Sequence, residues 1–171
     1  MEALRTGCST IRDRALVEFL YSTGVRVSEL VALNVGDIEM GKQELIVYGK
    51  GSKERKTYLT DSAKFYLHRY LQTRSGEDNL QSRPLFVTSG SPHERLSVPG
   101  IQYMLRNLGR KTGVKGVHPH RFRRTIATDL LGRGMPIEQV KEFLGHEKLD
   151  TTMIYCTVKT ESVQASHKKY A

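Results

Sequence analysis

Cysteine is scarce in this 171-residue sequence: Cys8 and Cys156 stand near opposite ends, and no Cys-x-x-Cys pair occurs. That argues against a zinc cage or a disulfide framework and suits a reducing compartment. Long apolar runs are missing too, none approaching the roughly 20 residues needed to cross a bilayer. No apolar segment of a signal peptide follows Met1-Glu2-Ala3-Leu4-Arg5. A cytoplasmic protein without membrane contact is therefore expected. Acid is in short supply as well, with 18 Asp and Glu against 27 Lys and Arg, a net charge of +9. Such an excess favours a polyanionic partner, nucleic acid first, although charge alone also fits a basic protein with no such partner. What remains is ordinary for a globular chain, long enough for one domain or a tight pair of lobes around a real core.

The pattern of residues predicts mainly helix. Thr10 with Asp13 resembles a capping box, and Leu16, Phe19 and Leu20 follow at helical spacing, giving a helix over residues 11–21 that ends near Gly24. Ser28 can cap a short second helix. Residues 44–48 and 56–59 read as strands, joined by a glycine-bearing hairpin loop rich in positive charge. Thr60-Asp61-Ser62 announces a helix to Gln72, and 73–84 reads as a mobile loop. Leu85-Phe86-Val87 reads as a third strand. Residues 97–111 place Ile101, Met104, Leu105 and Leu108 on one helical face. Pro119 opens a helix to about Leu131, and Pro136 opens another that ends at Gly145. Asp150 or Thr151 caps a short helix carrying Tyr155, and the tail from Lys159 is polar. The expected fold class is α+β, mainly helical, with a small antiparallel sheet.

A few side chains stand out for their chemistry. His120 and Arg123 are three apart on a helix whose N-terminus offers free backbone N–H groups, so a phosphate there would meet an imidazole, a guanidinium and the backbone. The same segment also reads as a solvated basic face. Arg26, between two valines, is expected to be partly buried, with Glu29 or a bound anion as its partner. Lys50, Lys53, Arg55 and Lys56 fit an exposed charged turn or a ribbon that enters a DNA groove. His118, His120 and His146 lack the spacing of a structural zinc site. Nothing beside Cys156 in sequence would lower its pKa. Arg26, Arg123, His120, His146 and Tyr155 together supply two fixed cations, two imidazoles and a phenol. That set fits phosphoryl transfer to a tyrosine with neither metal nor nucleotide.

From about Ile11 to Val158 the chain resembles the catalytic domain of tyrosine recombinases, the phage-integrase family. The resemblance rests on five motifs in order: Thr23-Gly24-Val25-Arg26-Val27-Ser28-Glu29-Leu30; Tyr48-Gly49-Lys50-Gly51-Ser52-Lys53-Glu54-Arg55; His120-x-x-Arg123; Leu144-Gly145-His146; and Thr151-Thr152-x-Ile154-Tyr155. One departure is Arg124, where relatives often carry histidine. The resemblance implies a tyrosine-recombinase catalytic-domain fold over residues 1–158 and a tail, 159–171, that packs on a neighbouring subunit. It also implies an N-terminal helical core-binding domain that this chain lacks, so a piece of a longer recombinase, such as one from a mobile element, is expected.

By the same resemblance, Tyr155 is the nucleophile, Arg26 and Arg123 clamp the phosphate, Lys50 is the general acid, His120 the base, and His146 a hydrogen-bond donor. No cofactor is implied. Lys53, Arg55, Arg106, Arg110, Lys111, Arg121 and Arg124 are the candidates for contacting DNA. The expected partners are double-stranded DNA, further copies of the chain as a tetramer on paired sites, and an accessory DNA-bending or directionality protein. A cytoplasmic, nucleoid-associated protein of bacterial or phage origin follows. Two alternatives stand beside it: a DNA-binding or regulatory module in which the same scaffold no longer cleaves, and a type IB topoisomerase, which uses similar chemistry. The six competent positions speak against the first, and the Gly-Lys-Gly hairpin and Leu-Gly-His motif against the second.

Overall fold

The computed structural model describes residues 1–49, 54–74, 79–80 and 83–145. Within them the chain forms helices α1 (Glu2–Gly7), α2 (Ile11–Thr23) and α3 (Val27–Ala32), and a 3-10 turn over Val35–Asp37. Strands β1 (Glu44–Tyr48) and β2 (Glu54–Tyr58) come next, and helices α4 (Asp61–Gln72), α5 (Val98–Thr112), α6 (Pro119–Gly132) and α7 (Ile137–Leu144) complete it. The fold is mainly helical with a two-stranded antiparallel sheet, as the sequence implies.

Helix α2 lies at the centre. Thr10 accepts a hydrogen bond from the Asp13 backbone N–H at its start, and Gly24 closes its end in the left-handed region. Between these caps Ala15, Leu16, Val17, Phe19 and Leu20 are all fully buried. Such all-round burial belongs to a helix packed on several sides, and α2 touches α1, α4, α6 and β2. Phe19 meets Phe86 edge to face, and Tyr70 stacks on the same Phe86 ring. The main core runs from Leu4 to Phe122, while Ile126, Ala127, Val140, Phe143 and Leu144 form a second, smaller cluster between α6 and α7.

Two local expectations change. Residues 85–87 are not a strand; in and beside them isolated bridges pair Val87 with Arg95 and Asn34 with Pro84. Their backbone is satisfied otherwise: the Leu85 N–H donates to Leu33, and Arg74 Nη1 donates to the Pro84 and Leu85 carbonyls. Helix α3 starts two residues earlier than a Ser28 cap allows, because Glu29 reaches back to the Arg26 backbone N–H (2.8 Å) and fixes Arg26 as the N-cap. Among the described residues no helix is long and apolar enough to cross a membrane.

Candidate active site

Gly24 begins the site. Its backbone lies at φ 57°, and a Cβ there would come within 3.1 Å of Leu144 and 3.2 Å of Ile126, so glycine suits both the turn and the close approach of α6 and α7. The turn delivers Arg26 at the head of α3. The Arg26 Nη1 donates to Glu29 Oε1 (2.8 Å), and Nη2 donates to the Gly145 carbonyl (3.2 Å). Arg26 is more open than its valine neighbours imply: its side chain is 44% exposed while Glu29 is buried. The charge is thus oriented from beneath and still accessible from above.

Arg123 has the opposite exposure. Pro119 opens α6, and the helix carries Arg123 inward, 3% exposed. Its Nη1 donates to the Gly24 carbonyl (2.6 Å), 99 residues away in sequence, and its Nη2 donates to the Leu144 carbonyl. Arg55 completes the pattern by donating from Nη1 to the Phe143 carbonyl (2.7 Å). Three arginines from three parts of the chain therefore bond three consecutive carbonyls, 143, 144 and 145. The last carbonyls of a helix have no partner inside it, and its C-terminal end attracts cations.

Glu29 is the acid at this junction. Its Oε2 accepts from Arg55 Nη2 (2.7 Å) as well as from the Arg26 backbone. Burial pushes its pKa up, but the Arg55 charge and the hydrogen bonds from Arg26 outweigh that, and the net shift is downward. With three guanidiniums and one carboxylate at the end of α7, two of the three paired with that carboxylate, the junction keeps an excess of positive charge.

His120 sits one turn before Arg123 at the exposed start of α6, its ring nearly parallel to that of His118 with centroids 6.5 Å apart. Burial lowers its pKa first, and the charges of Arg123, His118, Arg124 and Arg26 lower it further. The imidazole thus meets both Arg123 and Arg26 electrostatically and is kept neutral more readily than a free one.

Arg106 and Arg110, on α5, line a cleft of about 820 Å³ with Gln102, Lys115, His118 and His120. Arg121 and Arg124 line a neighbouring cleft of about 480 Å³ that also reaches His118 and His120. These four arginines are exposed and surround the histidine. Two other expected DNA contacts lie differently. Lys111 donates to the Gly7 carbonyl (2.9 Å) and Ser9 Oγ (2.8 Å), tying α5 to the end of α1. Arg55 is only 9% exposed and paired with Glu29, because β2 turns alternate residues inward and Arg55 shares the inward face with Thr57. Lys50, Lys53, His146, Tyr155 and the tail lie outside the described residues.

The sequence reading missed the Glu29–Arg55 pair and the role of carbonyls 143–145. The alternation of β2 held a signal for the first; backbone carbonyls leave none for the second.

The model of the phage integrase family matches residues 1–162. Tyrosine recombinase XerC of Leptospira interrogans is 39% identical over 162 residues, covering 94% of this chain and 51% of that protein. Tyrosine recombinase XerD of Oceanobacillus iheyensis is 36% identical over 165 residues, covering 94% and 55%. The crystal structure of XerA recombinase superposes with a TM-score of 0.85 at 31% identity, covering 99% of this chain and 60% of that one. The chain spans about half the length of the curated relatives it matches.

Proposed function

Since the chain belongs to the phage integrase family, we propose that it cuts and rejoins DNA at specific sites through a 3′-phosphotyrosyl intermediate on Tyr155. The observation that carries this reading is the junction at the end of α7. Arg26 and Arg123, remote in sequence, bond the adjacent carbonyls of Gly145 and Leu144, next in the chain to His146. Two guanidiniums brought together in this way can share the non-bridging oxygens of one phosphate and stabilise the charge that grows as it is attacked.

In this scheme the Tyr155 Oη attacks phosphorus and the bond from phosphorus to the 5′-oxygen breaks. The phenol proton passes to His120, and Lys50 supplies a proton to the departing 5′-oxygen. His146 donates to the phosphate. The lowered pKa of His120 supports its role as base, since a neutral imidazole is what must accept the phenol proton. The new ester conserves the energy of the old one, so resealing is the reverse step, with a 5′-hydroxyl of the same or another strand as acceptor. Arg106, Arg110, Arg121 and Arg124, exposed around His120, hold the DNA backbone on either side, with Lys53 from the hairpin. Four copies acting on paired duplex sites, with residues 159–171 packed on a neighbour, would exchange strands. Integration or excision of a mobile element and dimer resolution both use this reaction.

The test is covalent capture. The chain is incubated with supercoiled plasmid and quenched with SDS, and DNA-linked protein is compared with that from Tyr155→Phe. An adduct only in the wild type supports the reading. Salt-sensitive binding with no adduct, persisting when the longer protein is used, would turn it into a DNA-binding module.

A further inference from the structure

Arg55 is an arginine where a strand should bury an apolar or small residue. It pairs with Val47 across the ribbon, and its neighbours on the inward face, Leu45, Val47 and Thr57, are all buried. Burying a guanidinium there is costly unless its donors are matched. The two matches it finds are unlike each other. One is the Glu29 carboxylate, which also holds the backbone and the guanidinium of Arg26. The other is the Phe143 carbonyl, first of the three at the end of α7 that also take Arg123 and Arg26. Its aliphatic stem fills the space beside Gly145, where an added Cβ would lie 2.4 Å from Arg55 Cδ.

Resting on the reading above, in which Arg26 and Arg123 hold the scissile phosphate, we propose that Arg55 is a positioning residue for strand cleavage. It makes no contact with DNA. It locks Glu29, and through Glu29 the fork of Arg26, to the end of α7 against which Arg123 is also set. Without it, Glu29 would keep Arg26 alone as partner, and the two phosphate-clamping arginines would lose their shared rigid reference. Misplacement by about 1 Å is enough to slow an oriented reaction about 10²-fold.

Arg55→Lys keeps the charge and most of the stem but replaces the planar fork, whose two nitrogens meet Glu29 and Phe143 separately, with a single nitrogen; Arg55→Met removes the charge. Both are compared with the wild type for thermal melting, for duplex binding against salt, and for the rate of adduct formation with supercoiled plasmid. The expected results are a cooperative melt and a salt slope equal to that of the wild type. Adduct formation should fall about 10²-fold. The same Arg55→Lys change placed in an Arg26→Lys background should cost well under tenfold more, because both changes disturb one unit. Additive losses in the double variant would make Arg55 a plain structural residue and overturn the proposal alone. A salt slope smaller by about one would make it a phosphate contact, with the same consequence. A wild type that gives no Tyr155-dependent adduct overturns the function itself, and the proposal falls with it.

Discussion

Glu18 in α2 and Glu29 in α3 are both buried, and each is gripped by a pair of arginines; the pairs differ in what else they touch. Glu18 is held by Arg5 Nη2 and Arg14 Nε, each at 2.9 Å. Arg5 lies 5.5 Å from the centre of the Tyr21 ring and Arg14 lies 4.5 Å from that of Tyr66. Both cations are covered by aromatic faces, which screens them from solvent and adds a cation–π attraction. At Glu29 no ring covers the guanidiniums among the described residues. Arg26 has 44% of its side chain exposed, against 25% for Arg5 and 19% for Arg14, and it leans on the Gly145 carbonyl. The same composition thus closes one cluster and leaves the other able to receive an anion. The charges alone do not separate structure from function; the third neighbour of each arginine does.

The sharpest way to break this comparison is to remove the buried arginine set on the same helix end as the open cluster. Arg123→Ala should slow adduct formation about 10³-fold while DNA affinity changes by less than tenfold; matched losses would show that Arg123 only holds DNA. Glu29→Gln should slow the same step about 10²-fold, since it loosens Arg26 without removing it. Its acid sensitivity gives a second handle. The folded pKa of Glu29 is lowered, so its stabilisation is complete above the ordinary carboxylate range and is lost as pH falls through the folded value. The melting temperature of Glu29→Gln should therefore depend less on pH in that acidic window than the wild type's does.

Glu18→Gln should behave in the reverse manner, losing about 3 kcal/mol of stability by denaturant unfolding with the cleavage rate per folded molecule unchanged. A slower rate there would erase the distinction between the clusters. Smaller still is the pH–rate profile. The lowered pKa of His120 should place the acidic limb of cleavage below the ordinary imidazole range, and His120→Asn should remove that limb. The least effect belongs to single exposed cations: Arg106→Ala should reduce the salt slope of binding by about one, and Lys111→Ala should leave it unchanged.

The helices were legible in the sequence because their ends are written in it. Thr10, Gly24, Thr60, Ser97, Pro119 and Gly145 all stand at or beside the boundaries found. The meeting of His120 with Arg123 was legible from their spacing, though not that one would be open and the other buried. The inward turn of Arg55 depends on register, set by the pairing of Tyr48 with Glu54, which shifts β2 two residues earlier than its apolar content indicates. The bond from Lys111 to Gly7 spans 104 residues and leaves no local trace. Strand pairing failed at Leu85 because a single arginine, Arg74, took the carbonyls that a ladder would have used.

The small cluster that seats α7 has a kinetic meaning. Among the described residues it contains five buried residues, apart from the much larger core around α2, and guanidiniums bonded to the carbonyls at its end add to the attachment. Detaching such a helix exposes little apolar surface, so it belongs to the low-energy end of the openings a folded chain undergoes. Backbone amides in α7 should exchange with deuterium well before those of Phe19 and Leu20. A bound phosphate drawing Arg26 and Arg123 toward itself would change that exchange, making α7 the reporter of an occupied site.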